Sequence, residues 1–412
     1  MLLLRPLRQR SMALLWGGLA LSSIGDQAYG VAFTWIAVEA FGPAAGWLVA
    51  LGPLALVLTV MFGGRIADGW PPLRAMLGAD MLRAAVLLGV VLAWSATGGP
   101  SPAALVVVVV VLGAGQAVFR PALQAVIPAL VADPSALPAA NALLDATERI
   151  ARLVGPALVG ALVTVLPIRH MLTVDAASFL ASAAALLAIQ RHSRLPATGP
   201  ASPGSVLASM LHGIRVVRRH RLLGYVLAAT SLLNGAWYAV FFLILPLMVA
   251  RNGLVGPGGT GVAAYGAVIS AYGCTNLLAN LVIGSRPMPA KPGRQIFIGN
   301  LIMGVGIGGL AVIEAVGLPQ TALLPAYAAI AAFCAVGGPM QDIPVTVLMQ
   351  TALPRPDIQA ATRAFIAANQ GGLLFGLVIA PALLGLLPLS AVVTLCGAPI
   401  IIFGVVGLRR YV

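Results

Sequence analysis

The chain has 412 residues, 60% of them apolar and only 8% charged, and its mean hydropathy is +1.00. A soluble domain is nearer half apolar and a quarter charged, so a soluble enzyme is excluded, and so is a disordered chain, which needs low hydrophobicity. The net charge of +13 does not mark a nucleic-acid binder, because the basic residues punctuate the apolar runs, where they report membrane topology.

A spanning helix takes about 20 apolar residues. Unbroken runs such as Val106 to Leu112 are unlike the alternation of a membrane β-barrel. Run length and Gly, Pro and charge punctuation predict helices over 12–40, 44–67, 74–96, 102–127, 141–166 and 171–190, then over 221–249, 261–284, 295–316, 321–350, 361–386 and 389–408. The expected fold is an all-α membrane protein with twelve transmembrane helices in two pseudo-symmetric six-helix bundles. Spans longer than 25 residues imply tilt or protrusion beyond the hydrocarbon.

Met1 to Arg10 reads as a short basic start rather than a cleavable signal, since the apolar run after it is too long. With the N-terminus inside, Arg5, Arg8, Arg191, Arg194, Arg286, Lys291, Arg294, Arg409 and Arg410 all fall on the inner side, and only Arg169 and Arg251 face out. That asymmetry predicts a multi-pass protein of the cell membrane with both termini cytoplasmic.

The longest interruption, 191–220, begins polar and Pro-rich. It then becomes amphipathic, with Val206, Met210, Leu211, Ile214 and Val217 on one face and Arg215, Arg218 and Arg219 on the other. This reads as a helix lying on the inner membrane surface. It separates an N-terminal bundle (1–190) from a C-terminal bundle (221–412). The halves look like repeats: Ser22, Tyr29, Val31 and Phe33 recur at one constant offset as Ser231, Tyr238, Val240 and Phe242. Gly64 and Arg74 likewise match Gly284 and Arg294. Duplicated halves with a midplane site between them are a transporter plan.

Cys274, Cys334 and Cys396 all lie in apolar runs, where they read as buried small fillers. His170, His192, His212 and His220 show no zinc spacing and read as solvated side chains. Gly304, Gly306 and Gly309 spell a dinucleotide fingerprint, but no strand precedes them, so they read as helix packing. No Walker loop, metal cluster or catalytic set is visible, so no cofactor, no metal and no enzymatic activity are expected.

The loop Gly63 to Arg74 carries the first chemistry. Gly64 permits close helix approach, and Asp68 can take charge-assisted hydrogen bonds that lock one conformation. Gly64, Asp68 and Arg74 resemble the signature loop of the major facilitator superfamily, with Gly69 and Pro71 departing from its pattern. The resemblance implies a gating role for these residues. Ser23 to Gln27, Ala79 to Arg83, Arg120-Pro121, Ile127-Pro128 and Asp175 to Phe179, taken in order, resemble the drug–proton antiporter branch that includes macrolide-type efflux proteins and the enterobactin exporter. That resemblance covers most of the chain and implies export driven by the proton gradient. Gly155, Pro156 and Gly160 resemble the antiporter motif, with Val159 replacing one of its glycines. Physically, they read as a bendable, closely packed interface.

Charges inside a membrane are costly unless paired or hydrated. Asp26 falls near the midplane of the first span, about 21 Å in at 1.5 Å per residue. A carboxyl there suits proton coupling or cation recognition, with a structural hydrogen-bonding role as the alternative. Asp145, Glu148, Arg149 and Arg152 form i,i+4 pairs on the fifth span. Arg120 and Asp342 are expected either to face the cavity or to pair across the halves. Asp80 and Arg83 read as a structural i,i+3 pair, and Glu39 and Glu314 are expected to reach water. Gln27, Tyr29, Phe33, Asn234, Trp237 and Tyr238, with Gln341, Asn369 and Gln370, are candidates to line a mostly apolar substrate cavity.

The expected function is secondary export of a small amphipathic, drug-like compound by proton antiport and alternating access. The expected partners are the small-molecule substrate, protons and membrane lipid, with no nucleic acid, and the expected state is a monomer. The alternatives are a dedicated exporter of an endogenous siderophore, peptide or lipid, and a non-transporting receptor or assembly subunit on the same fold.

Overall fold

The computed structural model describes residues 6–62, 70–131, 136–192, 206–256, 259–286, 289–354 and 357–411. Among them every regular element is helical. The first six long helices are α1 (Arg10–Phe41), α2 (Ala45–Phe62), α3 (Pro72–Thr97), α4 (Pro102–Leu130), α5 (Leu137–Leu162) and α6 (His170–His192). A short helix α7 (Val206–Arg219) follows. The second set is α8 (Arg221–Arg251), α9 (Gly261–Gly284), α10 (Pro292–Val316), α11 (Gln320–Ala352), α12 (Ile358–Leu386) and α13 (Leu389–Tyr411). A long helix thus stands at each of the twelve expected spans, with 63–67 of the second lying outside the described residues, and the amphipathic linker helix is present over 206–219.

Local chemistry sets the ends. Proline occupies the first turn of α3, α4, α5 and α10, where its missing N–H costs nothing. Ser101 and Thr260 cap α4 and α9 by accepting from Ala104 N at 3.1 Å and Ala263 N at 3.3 Å. Left-handed Gly98 and Gly317 close α3 and α10. The fifth span starts and ends about four residues earlier than expected, because Leu137-Pro138 opens a helical turn before Asn141. Within α8 a π-turn, Val240–Ile244, precedes Pro246 and absorbs its lost hydrogen bond.

Among the described residues ten stretches are long and apolar enough to cross a membrane, and the first of these, Arg10–Val60, contains both α1 and α2. Helix α5 is not among the ten: it carries Glu148, Arg149 and Arg152 along with Asp145, which lower its hydropathy.

The chain divides into two compact units. One comprises Met1–Ala37 and Leu51–Ser202, the other Val38–Ala50 and Pro203–Val412. In the first, α3 packs on α4 and α6. A buried cluster that includes Met12, Leu15, Met76, Phe119, Ile127 and Ile189 fills the space among α1, α3, α4 and α6. In the second, α8 packs on α12, α9 on α11, and α10 on both α11 and α13. The short Val38–Ala50 segment belongs to this second unit, where Trp47 Nε1 donates to Val378 O at 2.9 Å.

Helix α7, expected as an amphipathic helix on the inner membrane surface, also has protein neighbours. It belongs to the second unit and packs on α12 and α8. Val216 and Val217 are buried, Gly213 lies against the backbone of Ala360, and His212 Nε2 meets Asp357 Oδ1 at 2.8 Å. Of the apolar face, Val217 is buried against protein, Met210 and Ile214 are half-buried, and Leu211 is exposed.

Three smaller expectations also change. Cys274 is exposed, whereas Cys334 is buried and Cys396 half-buried. His220 is not merely solvated: its Nδ1 accepts from Leu223 N at 3.3 Å and caps α8. Glu314 does not simply reach water, because its side chain is bonded to the Tyr327 hydroxyl at 3.2 Å and lies 3.8 Å from Arg251. The glycine triplet of α10 does pack helices: Gly304 faces Ile401 and Gly397 of α13, and Gly306 faces Cys334 of α11.

Candidate functional site

Asp26 stands midway along the 32 residues of α1. Ser22, Gly25, Asp26 and Tyr29 are spaced by three and four, so they share one helix face. Opposite them, α6 presents Asp175, Ser178 and Ser182 at the same kind of spacing, and all three are buried. Contact between the two faces needs Gly25: a Cβ there would lie 2.7 Å from Asp175 Oδ1 and closer still to Ser178 Oγ. Only a glycine lets the backbones come this near.

The Ser178 hydroxyl donates to Asp175 O at 2.7 Å and lies 3.2 Å from Asp175 Oδ1. Asp175 is wholly buried, and among the described residues its Oδ2 has no hydrogen-bond partner. The buried Tyr29 hydroxyl also has none. Asp26 is half-buried, so of the two carboxyls it is the one closer to solvent.

Helix α3 adds a buried ion pair. Arg83 donates through Nη2 to Asp80 Oδ1, and through Nε to Ala79 O at 3.3 Å. Asp80 is 0% exposed and Arg83 3%. The guanidinium lies over two rings, 4.9 Å from the Phe119 centroid and 4.2 Å from that of Phe179. A weakly hydrated planar cation suits such a sandwich better than an ammonium would. The side of α4 facing Arg83 is cleared by Gly115, whose Cβ would strike the arginine stem.

The last members come from α4 and α5. Arg120 Nη2 and Glu148 Oε1 are 3.7 Å apart, with both side chains more than half exposed. Asp26 feels the attraction of Arg83 and Arg120 and the repulsion of Glu148, and Asp175 feels both Asp26 and Asp80. Gly155 of α5 sits directly on α1, where its Cβ would collide with the Cβ of Gln27 and lie 3.0 Å from Ala28 N. Four acids and two arginines therefore share one electrostatic neighbourhood inside the first unit. Such a surplus of carboxyls suits proton binding or attraction of a cationic group. Among the described residues no group of three or more His, Cys, Asp or Glu is arranged to hold a metal ion.

The sequence-derived residues fare unevenly. Asp26, Gln27, Tyr29, Arg120, Gly155 and Pro156 all belong to this neighbourhood. Phe33 stacks on Tyr29 at 5.2 Å but is 3% exposed, which makes it a core residue rather than a lining one. Arg120 pairs within its own unit, and Glu148 pairs with Arg120 across two helices; the i,i+4 pairing expected of Glu148 with Arg152 gives way to it. The Asp145 side chain lies outside the described residues. Gly160 has nothing within 4 Å of its Cβ position, so it does not make the close contact expected of it. Of the gating loop, Gly64 and Asp68 lie outside the described residues, and Arg74 is exposed at the start of α3.

The remaining candidates lie in the second unit. On α8, Trp237 is surrounded by Tyr238, Phe241, Phe242 and Tyr272, with centroids 4.8 to 5.7 Å from its own. Its Nε1 is buried without a partner. Asn234 Nδ2 donates to Thr230 O of the same helix at 2.9 Å. Gln341, Asn369 and Gln370 are half-buried on α11 and α12, and Asp342 is exposed.

Sequence reasoning used Asp175 only as part of a resemblance and took Asp80–Arg83 as plain structure. The signal was available: an acid with serines three and seven residues on, in an otherwise apolar helix, marks one polar stripe that must be facing something.

Residues 15–362 match the model of the Major Facilitator Superfamily. The chain belongs to that superfamily. A relative from Sinorhizobium fredii, the MFS-type transporter y4rN, is 29% identical over 233 residues, a match covering 56% of this chain and 55% of the relative. The chain thus matches about half the length of that protein. Solved superfamily-like structures extend over nearly the whole chain. A bacterial homologue of the iron transporter ferroportin, in an inward-facing state, aligns with a TM-score of 0.71 at 16% identity, covering 97% of this chain and 98% of its own. The POT family transporter PepTSo gives 0.73 at 11% identity, with 98% of each chain covered. The nucleoside transporter NupG gives 0.71 at 13% identity, covering 97% of this chain and 100% of its own. At these identities the likeness establishes the superfamily fold. The chain is therefore a multi-pass membrane protein with the fold of this superfamily.

Proposed function

We propose that the protein exports a small amphipathic compound across the cell membrane in exchange for protons, by alternating access, with both termini cytoplasmic. The observation that carries this reading is Asp26, a half-buried carboxyl midway along a spanning helix, in the field of Arg83, Arg120 and Glu148. An acid so placed can take a proton from one side and release it when the local field changes. A ligand or proton shifts a conformational equilibrium only by its differential affinity for the two states. A cationic or polar substrate group drawn to the same acids supplies that difference.

Gly155 supports the reading, because it sets α5 against α1 at the residue next to Asp26. Movement along this contact would change what Asp26 faces. The apolar and aromatic character of α8 around Trp237 suits an amphipathic substrate, which needs large apolar surfaces and few polar groups.

The test uses inverted membrane vesicles with an imposed proton gradient and a fluorescent lipophilic cation. Gradient-dependent uptake by the wild type, lost in Asp26→Asn, is the expected result. Uptake retained by the variant would move the coupling site away from Asp26. No uptake by correctly inserted wild-type protein would remove the drug-export reading.

A further inference from the structure

We propose that Asp175, rather than Asp26 alone, is the resident proton site of the first unit, and that it exchanges this proton with Asp26 across the Gly25 contact. The proposal rests on the proton-antiport reading and adds the group that holds the proton between exchanges.

Charge balance leads to it. Asp80 is neutralised by Arg83 in the buried pair, and Glu148 lies against Arg120. Asp26 and Asp175 belong to neither pair. Two carboxylates in one low-dielectric site cannot both stay ionised cheaply, so the pair retains a proton. Burial decides which member holds it. Asp175 is 0% exposed, so its charged form would have no water; among the described residues no salt bridge reaches it, and Arg83 is the one arginine whose field it feels. Asp26 is half-buried and feels two arginines, so it bears the charge more easily.

The two carboxyl oxygens have different surroundings. Asp175 Oδ1 lies 3.2 Å from the Ser178 hydroxyl, whose single proton has its shorter contact, 2.7 Å, with Asp175 O. Among the described residues Asp175 Oδ2 has no partner, as expected of the oxygen that carries the proton and offers it outward. An ionised Asp175 would instead leave a bare anionic oxygen in the membrane interior, a situation costing several kcal/mol. The groups facing this site are Asp26 and Tyr29 on α1, Asp80 and Arg83 on α3, Arg120 on α4 and Glu148 on α5. The step is a plain proton transfer: the O–H bond on Asp175 breaks, one forms on the Asp26 carboxylate, and the negative charge moves to Asp175. The Tyr29 hydroxyl, buried, unpartnered and in the field of both acids, is available to donate to whichever is charged.

The experiment is infrared difference spectroscopy on the purified full chain in lipid vesicles. It reads the carbonyl stretch of protonated carboxyls at neutral pH. The expected result is a band present in the wild type, absent in Asp175→Asn, and retained in Asp26→Asn with a changed pH of disappearance. If Asp175→Asn does not fold, Ser178→Ala must shift the band, because it removes the hydroxyl that lies 3.2 Å from Asp175 Oδ1. No band, a band surviving in Asp175→Asn, or a band unmoved by Ser178→Ala would overturn the proposal. Proton-driven uptake in vesicles is expected to be lost in Asp175→Asn, and uptake that survives would overturn the exchange with Asp26. A wild-type band without any driven uptake would instead remove the antiport reading and leave the proton site standing.

Discussion

Two glycines of the same helix separate a packing role from a motif. Gly155→Ala places a methyl group where Gln27 Cβ already lies and 3.0 Å from Ala28 N. These atoms belong to or adjoin the α1 backbone, so relief requires α1 to move rather than a side-chain tip to swing. Overpacking of this kind costs about 1–3 kcal/mol. Gly160→Ala adds the same methyl where nothing lies within 4 Å. Both variants gain the same helix propensity, up to about 1 kcal/mol over glycine, so that gain cancels in their difference. Gly155→Ala should therefore be less stable than Gly160→Ala by about 1–3 kcal/mol. The assay is thermal unfolding of both variants in one detergent at one scan rate, since unfolding of such proteins is often irreversible. Because the clash lies beside Asp26, vesicle uptake should fall in Gly155→Ala and not in Gly160→Ala. Equal melting temperatures, or a lower one for Gly160→Ala, would refute the reasoning.

Other substitutions test other contacts. Arg83→Met leaves the fully buried Asp80 unpaired, and breaking a buried pair costs about 3–5 kcal/mol; the double variant with Asp80→Asn should recover part of that loss in the same unfolding assay. Arg120→Ala should change stability by less than about 1 kcal/mol, because the Arg120–Glu148 pair is solvated. Gly213→Ala should lift α7 off the Ala360 backbone and expose the linker to limited proteolysis, whereas Leu211→Ala, at an exposed position, should not.

The spans were legible because hydrophobic length and helix-terminal chemistry are local. Twelve apolar runs, four of them with proline in the first turn and two closed by a left-handed glycine, define helices whatever they pack against. The fifth span shows the limit: its charges and its early Leu137-Pro138 start blurred both its hydropathy and its boundaries. The amphipathic pattern of 206–219 was legible too, but not its occupant. A stripe of apolar residues says that something covers it, and only the tertiary structure shows that Val217 and the neighbouring Val216 are covered by protein while Leu211 is not.

The candidate site divides in the same way. The sequence by itself determined that the protein is a helical membrane protein, and that Asp26 stands near mid-span, where a charge needs a reason. It could not determine Asp26's neighbours, because i,i+3 and i,i+4 spacing reveals partners only along one helix. By that rule Asp80–Arg83 was found, while Glu148 was assigned to Arg152 on its own helix instead of Arg120 on the next. Tertiary structure alone decided that Gly25 brings α1 onto Asp175, that Arg83 is spent on Asp80 between two rings, and that Asp26 and Asp175 are left without a paired cation. Burial and unpaired charge depend on residues far apart in the chain, and no local pattern encodes them.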